Sequence, residues 1–242
     1  MATLPKPNSI PTHSDNKAPL WLRIGFWTCV VIGAAAVIRR MFALASPAHN
    51  GPPQMAGIDD VFASHPVLTL SHIVPALLFV LLSPFAVFKR FAGLKWPERI
   101  LFPLGAIVGL TAYAMAAYSI GGWTERAAIY LFDTLFLYSL ARAFAHGQRG
   151  EAILKRRWLL RSIAVLLGVA TARPVMGVFF ATSPLTHLGP SQFFGIAMWI
   201  GFSINLLVFE LWLHFANRRT RPANQLPAPM PHHPGRARGY SL

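Results

Sequence analysis

Six stretches of the chain stay apolar for about twenty residues each, and the segments between them are polar and rich in Pro, Gly and charge. About 20 residues of helix cross the ~30 Å hydrocarbon core of a bilayer. Core helices of soluble proteins are shorter and keep a polar face. The pattern therefore predicts an all-α fold, a polytopic bundle with transmembrane helices over 20–38, 67–88, 100–118, 127–145, 158–180 and 193–214. Residues 1–19, with Pro5, Pro7, Pro11 and Pro19, read as a disordered tail. Residues 20–215 form the membrane domain, and the basic, Pro-rich stretch 216–242 reads as a second disordered tail. The Pro-, Gly- and Asp-rich segment after the first span predicts a loop that ends near His65. No internal repeat is visible.

Composition agrees with this pattern. Of 242 residues, 54% are hydrophobic and 12% charged, whereas soluble domains carry about 25% charged residues. The net charge of +14 changes the picture through its placement, because the basic residues flank the apolar runs. With both termini in the cytoplasm, eighteen of the 22 Lys and Arg residues fall on the cytoplasmic side, as the positive-inside rule requires. They include Lys89, Arg90, Lys95 and Arg99 in one loop, and Arg149, Lys155, Arg156 and Arg157 in the next. Only Arg39, Arg40 and Arg126 fall outside, and Arg173 lies within a span. Such basic tails and loops favour anionic lipid headgroups as partners. Nothing resembles a recognition helix or an aromatic–basic stacking surface, so no nucleic-acid partner is expected. Ala43-Leu44-Ala45 has the form of a signal-peptidase site, but a long tail precedes it and Arg39-Arg40 interrupts the approach. The single cysteine, Cys29, excludes an intramolecular disulfide and any multi-Cys metal site. Walker, dinucleotide-binding, zinc-protease and nucleophile-elbow motifs are absent from the sequence.

Ionisable side chains within spans are costly, and such residues usually have a partner or a role. His72, Asp133 and Arg173 fall at similar depth in the outer half of spans two, four and five. They predict an outer polar cluster, joined by Tyr113 or Tyr118. Its structural reading is a self-neutralising Asp133–Arg173 pair. Its functional reading is a ligand or proton site. Near the inner face, Arg161 and Glu210 predict an ion pair, and Asn205 a hydrogen bond between helices. A haem between helices needs imidazoles that face each other at one depth. Only His72 lies well inside a span. His65, seven residues earlier, and His187, in the last outer loop, are the candidates to join it, and His146 and His214 share the inner helix ends. Gly105 and Gly109 form a small-xxx-small pair suited to close packing.

Three segments carry a family resemblance across about residues 67–213. Ser71-His72-Ile73 with Ser83-Pro84-Phe85, then Lys155-Arg156-Arg157-Trp158-Leu159-Leu160-Arg161-Ser162, then Trp199 with Asn205-Leu206-Leu207-Val208-Phe209-Glu210, resemble the bacterial membrane proteins grouped as domain of unknown function 2306. Leu94-Lys95-Trp96-Pro97-Glu98-Arg99 is a looser match. The family pattern has His at the positions of Leu94 and Lys155 and Gly at that of Ser83, so a site built on those histidines would be lost here. His72, Arg161, Arg173, Asn205 and Glu210 stand at matching positions. The resemblance implies a membrane bundle in a bacterial inner membrane and supplies no activity.

Two function classes remain. The first is a non-enzymatic membrane protein: a small transporter, a sensor or an assembly factor for a membrane complex, with a protein partner or a homo-oligomer left open. The alternative is a haem-binding membrane cytochrome or quinone-linked oxidoreductase, with His72 as an axial ligand and His65 or His187 as the second candidate.

Overall fold

A computed structural model describes residues 19–45, 53–88 and 96–219. These form eight helices in chain order: α1 (Leu20–Ala45), α2 (Pro53–Ala63), α3 (Pro66–Val87), α4 (Trp96–Ala116), α5 (Gly122–Gln148), α6 (Ala152–Leu166), α7 (Gly168–Thr186) and α8 (Pro190–Arg219). Six units are long and apolar enough to cross a membrane: α1, α3, α4, α5, the joined α6–α7 and α8. The protein is an all-helical, multi-pass membrane protein. Of the tails expected over 1–19 and 216–242, residues 1–18 and 220–242 lie outside the described residues, as does the basic loop over 89–95.

Three expectations need correction. The segment after the first span contains a helix, α2, where the sequence predicts only a loop. It is short and mixed in polarity, with Pro53 at its first position, so it lacks the long apolar signature that marks the spans. Arg39 and Arg40 lie inside α1, which continues to Ala45 rather than ending at Ile38. Likewise α8 continues to Arg219, past the end of the sixth span expected near 214.

The fifth span is a broken helix rather than one rod. It divides at Leu167, between α6 and α7. Two local features accompany the break. Gly168 lies against the ring and backbone of Phe202, where a Cβ would come within 2.8 Å of the Phe202 Cα. Pro174, further along α7, lacks the N–H that would bond the carbonyl one turn back.

Packing places α5 in the middle, against α4, α6 and α8, while α3 pairs with α4 and α7 with α8. The core joins Phe79, Leu101, Val108, Phe136 and Leu159. Gly105 and Gly109 act as seats for side chains rather than as a backbone contact. A Cβ on Gly105 would meet Leu140 at 2.6 Å and Phe79 at 3.0 Å, and one on Gly109 would meet the Leu137 side chain. True backbone approaches occur elsewhere. Gly195 of α8 lies against Thr124 and Glu125 of α5, and Gly201 against Ala172 of α7. Small residues let membrane helices come this close. In contrast, α1 buries only Val30 and Arg40 and leans on α3 and α7. Its exposed Trp21, Ile24, Val31 and Phe42 are what a lipid-facing helix requires.

Candidate functional site

A cavity of about 220 Å³ lies among the helices, with lining residues from each of α1 to α8. Its walls are largely apolar, with Ala76, Val80, Phe132, Phe136 and Val169 among them. His72, Asp133 and Arg173 all line it. They come from α3, α5 and α7, so the three polar residues share one cavity without being neighbours in sequence.

His72 is oriented by α4. Its Nδ1 lies 3.2 Å from the Val108 carbonyl and 3.0 Å from Thr111 Oγ1. Thr111 Oγ1 already donates to the Ile107 carbonyl at 2.6 Å, and a carbonyl can only accept, so Nδ1 carries the proton. This assignment leaves Nε2 without a hydrogen bond to any described residue, on a side chain that lines the cavity. A ring fixed through Nδ1–H is the usual way to aim Nε2 at a ligand.

Arg173 and Asp133 do not form the ion pair expected of them. Arg173 Nε and Asp133 Oδ2 are buried and lack a hydrogen-bond partner among the described residues. The charges that act on Arg173 are Arg39, Arg40 and Glu125. Similar depth along two helices does not fix which way each side chain points, and Asp133 and Arg173 address different parts of the same wall. Tyr113 also leaves the expected cluster, because its hydroxyl bonds Thr134 Oγ1 at 2.5 Å. Tyr118 lines the cavity and stacks on His65, with ring centroids 3.7 Å apart.

Two charged residues of the cavity wall were not singled out from the sequence. Arg40 is held by Asp59, which also accepts from Arg39 at 3.2 and 2.8 Å, and its guanidinium lies 4.1 Å over the Phe62 ring. Glu125 accepts from the Gly121 amide at 2.6 Å and is buried. Glu125 stands just ahead of the span expected over 127–145, and the structure places it in the first turn of α5. For Arg40 the sequence carries no signal, because the predicted loop hid its helical register.

Of the candidate haem ligands, His65 lines the cavity from just before α3, while its Nδ1 meets Ser64 Oγ at 2.9 Å. His187 caps the end of α7 in a left-handed turn (φ 54°) and is exposed. It does not line the cavity. His146 bonds Glu151 and lies 3.4 Å from Arg142, whereas His214 packs on Phe215. No cluster of three or more His, Cys, Asp or Glu suited to a metal occurs among the described residues.

At the opposite end of the bundle from α2, Arg161 meets Glu210 through two bonds of 2.5 and 3.0 Å. The Arg161 guanidinium also lies 4.6 Å over the ring of Trp158. Asn205 receives the Thr171 hydroxyl at 2.8 Å and donates to the Ala164 carbonyl at 3.4 Å, joining α8 to both halves of the broken span. Lys155, where the resemblance puts a histidine, pairs with Glu98 at 2.6 Å and ties α6 to α4.

Six helices long and apolar enough to cross a membrane, around a mainly apolar cavity with a few polar groups, define the class: a multi-pass membrane protein with an internal chamber. Residues 69–213 match the family described as "Predicted membrane protein (DUF2306)", and the chain belongs to that family. No curated protein and no solved structure matches the chain. The matched residues run from α3 to α8, so α1 and α2, which contribute Arg40 and Phe62 to the cavity wall, lie outside them.

Proposed function

We propose that the protein is a non-enzymatic membrane protein that takes a small amphipathic molecule into the chamber, as a transporter or a sensor. One observation carries this reading. Polar groups of His72, Asp133 and Arg173 with unspent hydrogen-bonding capacity line a single, mainly apolar cavity. Unpaired polar groups at such depth are expensive, and a bound molecule that satisfies them offsets that cost. The cavity, about 220 Å³, exceeds the ~150 Å³ that accommodates benzene in an engineered apolar site. Its mixture of apolar wall and a few polar groups is the usual make-up of a small-molecule site.

The reading places the protein in a bacterial inner membrane with both termini in the cytoplasm. The supports are the basic loops and tails in the sequence and the even number of spans. On this topology the end carrying α2 faces outward, and the His72–Asp133–Arg173 chamber is reached from that side or from the lipid.

A second reading has its own support. The free Nε2 of His72, braced through Nδ1, suits axial ligation of haem. His65 stands just before α3, seven residues from His72, with its Nδ1 on Ser64, and His187 lies away from the cavity, so haem would have one protein ligand.

One preparation tests both. Wild-type protein purified in mild detergent should carry a co-purified small molecule detectable by native mass spectrometry. Ala76→Trp, which fills the cavity from α3, should lose it while eluting as a folded protein. An empty wild type that also takes up no amphipathic probe would overturn the chamber reading. A stoichiometric Soret band, absent in His72→Ala, would install the haem reading in its place.

A further inference from the structure

The chamber contains a guanidinium without a hydrogen-bond partner among the described residues. Arg173 makes no hydrogen bond to any described residue, and its Nε is buried. It also lines the cavity. Other interior arginines are committed: Arg40 to Asp59, Arg156 to the Val87 carbonyl at 2.5 Å and Arg161 to Glu210. Arginine does not lose its charge in proteins, and its planar fork presents five donors. Held in an apolar wall, that fork lacks an acceptor.

The neighbouring charges indicate the sign of the missing partner. Arg39, Arg40 and Glu125 are the charged groups that act around Arg173. Asp59 is shared by Arg39 and Arg40, and Glu125 is turned onto the Gly121 amide. Asp133 lines the same cavity, but its Oδ2 and the Arg173 Nε are both without a partner among the described residues, so it is not the acceptor for this guanidinium. The apolar wall below, formed by Val169, Phe132, Phe136 and Ala76, has room for a hydrocarbon body.

We infer that the chamber's ligand is a single-chain amphipath with an oxyanion head, and that Arg173 receives that head as a two-bond fork. This rests on the chamber reading and adds the head-group chemistry to it. Carboxylate and phosphate both match the guanidinium fork. A medium-chain fatty acid is a simple molecule of this class.

The test uses the full chain in nanodiscs of neutral lipid, with radiolabelled decanoate and radiolabelled decanol as parallel probes. Decanoate should bind at least tenfold more tightly than decanol. Arg173→Met should reduce that preference to near unity while decanol binding persists, and Arg173→Lys should keep part of it, which separates loss of the head contact from loss of the fold. Unlabelled decyl phosphate, as competitor, identifies the head: displacement weaker than by decanoate assigns a carboxylate, and stronger displacement assigns a phosphate, with the oxyanion inference upheld in both cases. Equal binding of decanoate and decanol by the wild type overturns the inference and leaves the chamber standing. Binding of neither probe overturns both.

Discussion

At the scale of single residues, the protein separates two kinds of intramembrane charge. Arg161 and Glu210 satisfy one another through two bonds, and Trp158 covers the guanidinium face. Charge-assisted bonds and cation–π stacking each contribute on the order of 1 kcal/mol when partly exposed. Arg161→Ala should therefore lower stability by about 1–2 kcal/mol, read as a drop in melting temperature in detergent. Arg161→Lys should recover only part, since an ammonium keeps the charge but neither the parallel bonds nor the flat stacking face. If Arg161→Ala melts with the wild type, the pair contributes nothing. The sequence exposes this pair because both residues stand near the same end of consecutive spans. It does not expose the state of Asp133 and Arg173, because matched depth says nothing about azimuth. Whether two side chains meet depends on how far each helix is turned about its axis, and packing decides that.

At the scale of elements, long apolar runs identify the spans, and short or interrupted elements escape. The segment Pro53–Ala63 forms α2 through tertiary support: Ile58 is buried in a small cluster with Met176 and Phe194, and Thr69 of α3 donates to the Phe62 carbonyl at 2.9 Å. The break at Leu167 is equally silent in a hydropathy pattern, since every residue there is apolar or small. Glycines divide in the same way. Gly201 lies against the α7 backbone, where a Cβ would be 2.5 Å from the Ala172 nitrogen, whereas Gly177 has open space around its Cβ position. Gly201→Val must push α7 and α8 apart, and overpacking of this kind costs about 1–3 kcal/mol. Gly177→Ala should leave the melting temperature unchanged or slightly higher. A wild-type melt for Gly201→Val would mean that α7 and α8 do not meet there. Nothing in the sequence distinguishes these two glycines, because the contact is made by a residue 29 positions away.

At the scale of the whole molecule, the distribution of charge becomes an argument about orientation. The end opposite α2 carries Arg142, Arg149, Lys155, Arg156 and Arg157 on α5, α6 and their junction. The other end holds Arg39, Arg40 and Arg126. Their charge is largely tied up there: Arg39 and Arg40 share Asp59, and Arg126 donates to Ser119 Oγ and the Ala117 carbonyl, both at 3.0 Å. The positive-inside rule counts Lys and Arg, and the end with more of them is the one proposed to face the cytoplasm. Single-cysteine variants in a Cys29→Ser background decide it. Leu185→Cys, exposed at the end of α7, should react with a membrane-impermeant maleimide in cells whose inner membrane is intact. Arg149→Cys, at the turn after α5, should react only after that membrane is permeabilised. The reverse pattern would turn the protein over, and the chamber's polar groups would then be approached from the cytoplasm. Labelling at both positions in intact cells would mean that the α6–α7 unit, broken at Leu167, does not cross the membrane as one span. The two cysteines therefore test orientation and the continuity of the broken span together.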